Sequence, residues 1–162
     1  MSLAEICKWV NDAPLSTTIR ESDLLFPIIE TVHVLAITAL AGTVAIVDLR
    51  LLGVILKKEK VTAVAGQLLP LTWVGLFLMF SSGFLLFLAE ASKSYSNPAF
   101  RVKMLLLVLA GLNPAIFHST VYRGVSAWDE SAAPPWRARL AGALSLVLWS
   151  SIIVAGRAIA YF

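Results

Sequence analysis

Four apolar stretches fill the chain from about residue 24 to residue 161, covering 24–56, 62–91, 100–122 and 136–161. Each exceeds the about 20 residues that a helix needs to cross a bilayer. In hydrocarbon every backbone N–H and C=O must find its partner within the protein, which leaves helices or a closed barrel. Uninterrupted apolar runs without period-two alternation select helices. Composition agrees: 59% of the chain is hydrophobic and 14% charged, against about 25% charged in a soluble domain. The chain is read as an all-α integral membrane protein.

The connections are short, so the expected architecture is a four-helix antiparallel bundle, residues 24–162, with the first and third loops on one side. Lys57 to Lys60, Ser92 to Pro98 and Arg123 to Pro135 make the three loops. Pro27 falls in a first turn, where its missing N–H is harmless, whereas Pro70 and Asn113-Pro114 are expected to kink or interrupt their helices. Residues 1–23 form a separate amphipathic interfacial segment. Ser2 and Glu5 have capping-box spacing, and Leu3, Ile6, Trp9 and Val10 share the face that lies on the membrane surface. A turn around Pro14 follows, with Ser16 capping a polar turn that runs to Asp23.

Several functions lack a footprint. The lone Cys7 makes neither an intrachain disulfide nor a cysteine metal site. The net charge of +3 is spread thinly, without the basic patch of a nucleic-acid binder. No P-loop, dinucleotide fingerprint or zinc-type spacing is present. The first apolar run lies too far in and is too long to be the core of a cleavable signal peptide. Basic residues divide seven to six in favour of the face carrying the first and third loops, which places the termini outside by the positive-inside rule.

Chemistry falls to the histidines. His33 and His118 are the two in the chain, and both lie in apolar runs. An ionisable group there is costly, and marks a functional site by default. Imidazole serves as an axial ligand of haem iron and carries protons near neutral pH. Counted from the terminal side at ~1.5 Å per residue, His33 lies roughly 15 Å deep, Met79 roughly 18 Å, Asn113 roughly 20 Å and His118 roughly 27 Å. Helix tilt and a kink at Pro114 would have to close the gap between the histidines. The expected metal ligands are His33 and His118, with Met79 as the alternative axial ligand. Lys103, Arg101 and Arg157 are placed to neutralise haem propionates, although terminal basic residues also snorkel to headgroups. A structural role competes: a membrane histidine often hydrogen-bonds to a neighbouring helix, with Thr31, Thr38, Ser81, Ser82 and Ser151 as available partners. Glu30 and Lys103 could pair, as could Asp48 and Arg50.

The first helix, His33-Val-Leu-Ala-Ile-Thr-Ala-Leu-Ala-Gly42 through Asp48-Leu-Arg50, resembles the opening helix of HemJ and CopD-like membrane proteins. The run from Lys103 to Asn113 is similar to their third-helix segment. The resemblance covers two helices of the four and implies haem b at His33 and Lys103. Its HemJ branch also implies protoporphyrinogen oxidation, and its CopD branch copper handling. His118 lies one turn beyond the third-helix histidine of HemJ, which weighs against oxidase activity more than against haem. The leading expectation is a b-type electron-transfer protein of a bacterial inner membrane rather than a stand-alone enzyme. Its partners are the lipid bilayer, haem, and other subunits of a redox complex or further copies of the chain. The alternatives are a HemJ-like protoporphyrinogen oxidase and a copper-handling or cofactor-free structural subunit.

Overall fold

A computed structural model describes residues 2–161. Its elements are α1 (Leu3–Asn11), α2 (Pro14–Glu21), α3 (Leu25–Leu51), α4 (Val61–Ala89), α5 (Ala91–Ser96), α6 (Pro98–Ser119) and α7 (Trp136–Ala158). Short 3-10 segments follow α6 (Tyr122–Ala127) and α7 (Ile159–Tyr161). The described residues contain no strand, and α3, α4, α6 and the segment Trp136–Tyr161 are each long and apolar enough to cross a membrane. This is an all-helical membrane protein.

The spans are set by local chemistry at their ends. α3 stops at Leu51, five residues short of the expected end, because Gly53 adopts φ +70°. Its N–H returns to the Arg50 carbonyl and that of Val54 to Leu49, both at 3.0 Å, the paired bonds of a Schellman stop. A side chain at Gly53 would also collide with the Ala132 carbonyl, 2.8 Å from a Cβ placed there. α6 begins two residues earlier than expected, with Pro98 at its first position and the Asn97 side chain accepting the Phe100 N–H at 3.1 Å. It runs unbroken through Pro114, and α4 through Pro70. The Asn113 amide donates across to the Ala141 carbonyl of α7 at 3.0 Å instead of ending the helix.

The N-terminal segment carries the expected capping box, with Ser2 and Glu5 bonded reciprocally. Leu3 and Trp9 are each 69% exposed. Residues 14–21, read as turns, are instead the helix α2, led by Pro14. Ser16 is buried inside it and donates to the Val10 carbonyl at 2.7 Å. Where a loop was expected after residue 91, the short helix α5 packs against α1.

α4 packs on α3, α3 on α7, and α7 on α6. α4 and α6 have little close backbone contact, so the fourth side of the bundle is held mainly by side chains. Glycine sets the close approaches: a Cβ at Gly75 would meet Leu40 at 3.2 Å, and one at Gly142 would meet the Asp48 carbonyl at 2.9 Å. The first and third loops lie together, as antiparallel connectivity demands. Arg50, fully buried, donates to the carbonyls of Glu59, Asp129 and Ser131. Asp129 caps α4 from the other loop, accepting the Thr62 N–H at 2.8 Å and the Thr62 hydroxyl at 2.7 Å.

Candidate functional site

His33 stands about 12 Å along α3 from its first residue, on the face turned to α4. Its Nδ1 lies 2.9 Å from the Ser82 hydroxyl. That hydroxyl has one proton, and the Leu78 carbonyl of its own helix is within reach of it. With the hydroxyl proton on that carbonyl, the oxygen accepts from Nδ1 and Nε2 keeps the lone pair; with the proton on Nδ1, the roles of the two ring nitrogens are reversed. Gly83 makes room for the ring: a Cβ there would stand 2.9 Å from His33 Cε1 and 3.4 Å from Nδ1.

The other two spanning helices reach the same level. Lys103 of α6 lies within electrostatic reach of the imidazole. Its stem crosses Gly156 of α7, with Nζ, Cε and Cδ 3.6 to 3.8 Å from a Cβ placed there. Among the described residues it has no ion-pair partner. Ala36, Leu40 and Met79 form a buried apolar cluster nearby, with Leu107 and Trp149 against it. Phe87 of α4 and Phe100 of α6 stack with centroids 5.8 Å apart, closing the bundle on the terminal side. All four spanning helices thus contribute, and glycines on two of them provide the space for the polar side chains.

The remaining predicted residues fall elsewhere. His118 is exposed near the other end of α6, its ring 4.6 Å from that of Tyr122 and 5.7 Å from that of Phe117. Lys103 and His118 lie about 22 Å apart along one helix, so an imidazole level with Lys103 does not share an iron with His118. The two-histidine pairing is corrected on this ground. Met79 is at the right depth, but its side chain is buried in the apolar cluster. Arg101 is exposed, donating to the Tyr95 carbonyl and lying over the Tyr95 ring. Arg157 is likewise exposed, over Tyr161. Both have the placement of snorkelling residues at a membrane rim. Glu30 is exposed on α3 and does not pair with Lys103, nor does Asp48 pair with Arg50.

Ser82 was one of five hydrogen-bonding partners open to the histidine. Gly83 and Gly156 were missed; the signal available was a glycine in the interior of an apolar helix, which marks close approach. Among the described residues no group of three or more His, Cys, Asp or Glu side chains gathers as a metal site. A single axial imidazole requires no such group.

Residues 23–162 match the family described as "Family of unknown function (DUF6644)", and the chain belongs to that family. No curated protein and no solved structure matches it.

Proposed function

We propose that this DUF6644 protein is a membrane haem-binding protein that carries electrons within the bilayer, with His33 as the axial ligand. The observation that carries the reading is the Ser82 contact: in the tautomer where Ser82 donates to the Leu78 carbonyl, Nδ1 is the donor and the Nε2 lone pair is left for a metal. A hydrogen bond on the far ring nitrogen is the usual second partner of a ligating histidine, fixing its tautomer and orientation. The fit rests on two further features. Gly83 leaves the ring a cradle that a Cβ would fill, and α4 and α6 meet through side chains rather than close backbone contact. Lys103, a half-buried cation without a carboxylate partner among the described residues, suits a propionate. Haem bound here would supply one-electron chemistry. The chain would serve as a small subunit of a larger redox complex or as a homo-oligomer, in a bacterial inner membrane with its termini outside.

Porphyrinogen oxidation is the second reading, favoured by the same pairing of Lys103 with His33, since a porphyrinogen also carries carboxylates. Absorption spectra of the detergent-purified protein, produced in haem-sufficient cells, test both. A Soret band is expected in the wild type and in His118→Ala, reduced in Ser82→Ala and lost in His33→Ala. A wild type without the band, or a full band in His33→Ala, overturns haem ligation by His33. Porphyrinogen turnover by the purified protein would favour the second reading.

A further inference from the structure

A second polar position lies in the other half of the bundle, about 22 Å along α3 from His33. Asp48 is only 5% exposed, and its Oδ2 has no hydrogen-bond partner among the described residues. α7 comes against it through Gly142, where a Cβ would stand 2.9 Å from the Asp48 carbonyl oxygen. One turn on, α7 also presents the Ser145 hydroxyl to the carboxyl.

None of the charges nearby compensates this group. Arg50, fully buried on the same helix, gives its Nε and Nη2 to the carbonyls of Glu59, Asp129 and Ser131; its Nη1 has no partner among the described residues, and it makes no ion pair with Asp48. Arg137 and Arg139, before Gly142 on α7, are exposed. From α6, the Asn113 amide is committed to the Ala141 carbonyl, and from α4 the Thr72 hydroxyl meets Thr43 at 3.0 Å. Among the described residues Asp48 makes no ion pair. A buried carboxylate without a partner cation is too costly to persist alone. With no ion pair to a cation of the chain among the described residues, one unit of positive charge from outside it would balance this carboxylate.

We propose that Asp48, with Ser145, is a binding site for a monovalent cation, either a proton or an alkali ion. The site is separate from His33 and does not depend on the haem reading. Infrared difference spectra between the wild type and Asp48→Asn, taken in lipid, test it without a reagent having to reach the site. A protonated carboxyl band present in the wild type and absent from the variant identifies the proton. A carboxylate band that shifts when sodium replaces a large organic cation identifies the alkali ion. In either case Ser145→Ala should move the wild-type band. A carboxylate band indifferent to both pH and sodium, or no band assignable to Asp48, overturns the proposal. Retention of the wild-type helical circular dichroism by Asp48→Asn shows that the difference reports the carboxyl and not unfolding.

Discussion

Gly83→Ala places one methyl group against the imidazole. The new Cβ would be 2.9 Å from His33 Cε1 and 3.4 Å from Nδ1, closer than unstrained carbon contacts of about 3.5–4.0 Å. Something has to move, and the ring, bonded to Ser82, is the nearest group. Overpacking of this kind costs about 1–3 kcal/mol. Tilting the ring away also loosens the Ser82 bond, which contributes about 1 kcal/mol. Against this, replacing a helix-interior glycine by alanine gains about 1 kcal/mol. The net expectation is a loss of about 1–3 kcal/mol, given these terms. Gly111→Ala is the control: it lies in α6 with nothing within 4 Å of its Cβ position, and should gain up to about 1 kcal/mol. Unfolding in mixed micelles of increasing SDS fraction, followed by circular dichroism, measures both variants on one scale. Equal, stabilising effects at the two positions would refute the contact between His33 and Gly83, and with it the geometry of the site.

Arg50→Met should cost at least about 3 kcal/mol, because three carbonyls lose their donor at about 1–3 kcal/mol each. Proteolysis within residues 52–60 and 120–135 should quicken with it; an effect below about 0.5 kcal/mol, the size of an ordinary surface change, would contradict the clamp. Asp129→Ala removes a helix cap and should cost about 1–2 kcal/mol. Burial is the largest single influence and pushes the Asp129 carboxyl up, but the two Thr62 hydrogen bonds, the Lys60 ammonium and the Val61 N–H together outweigh it and hold the group below its ordinary value. A folded value below the unfolded one, about 3.9, means that this stability is complete above the unfolded value. It is lost as pH falls through the folded value, so the wild type and Asp129→Ala should converge in acid; a gap unchanged between neutral and strongly acidic pH would exclude the carboxylate as its source. Asn97→Ala breaks both the α6 cap and the 3.0 Å bond to the Ile159 carbonyl, with about 1–2 kcal/mol expected for the cap in the same unfolding assay.

The spans were legible because apolar content over twenty-odd residues depends on nothing outside the segment. Their ends were less so. Leu52 to Leu56 are mostly apolar, and only Gly53 breaks the run; its left-handed backbone is what stops the helix. The Asp129 cap on α4 escaped because it is supplied by a residue remote in sequence, whereas the Ser2–Glu5 box is local and was read directly. Within the site, His33 and Lys103 stood out as polar residues in hydrocarbon and are brought to one level. His118 carried the same signal, but the helix rise separates it from them, and the kink at Pro114 that was to bridge the gap does not interrupt α6. Gly83 and Gly156 have no polar signature at all, so a role defined by the space they leave open is visible only in three dimensions.

The two ends of the bundle are held differently. On the loop side, Arg50, the Asp129 cap and the Gly142 approach bind α3, α4, α7 and both loops with charged and backbone hydrogen bonds. On the terminal side, α4 and α6 meet through the Phe87–Phe100 stack and the short helix α5. An offset aromatic pair adds about 0.5–1.5 kcal/mol, less than the three-carbonyl clamp of Arg50 at about 1–3 kcal/mol per acceptor. The terminal side is tied by polar bonds as well: Arg20 of α2 donates to the Ala89 carbonyl at the end of α4 at 2.9 Å, and Asn97 at the start of α6 donates to the Ile159 carbonyl at 3.0 Å.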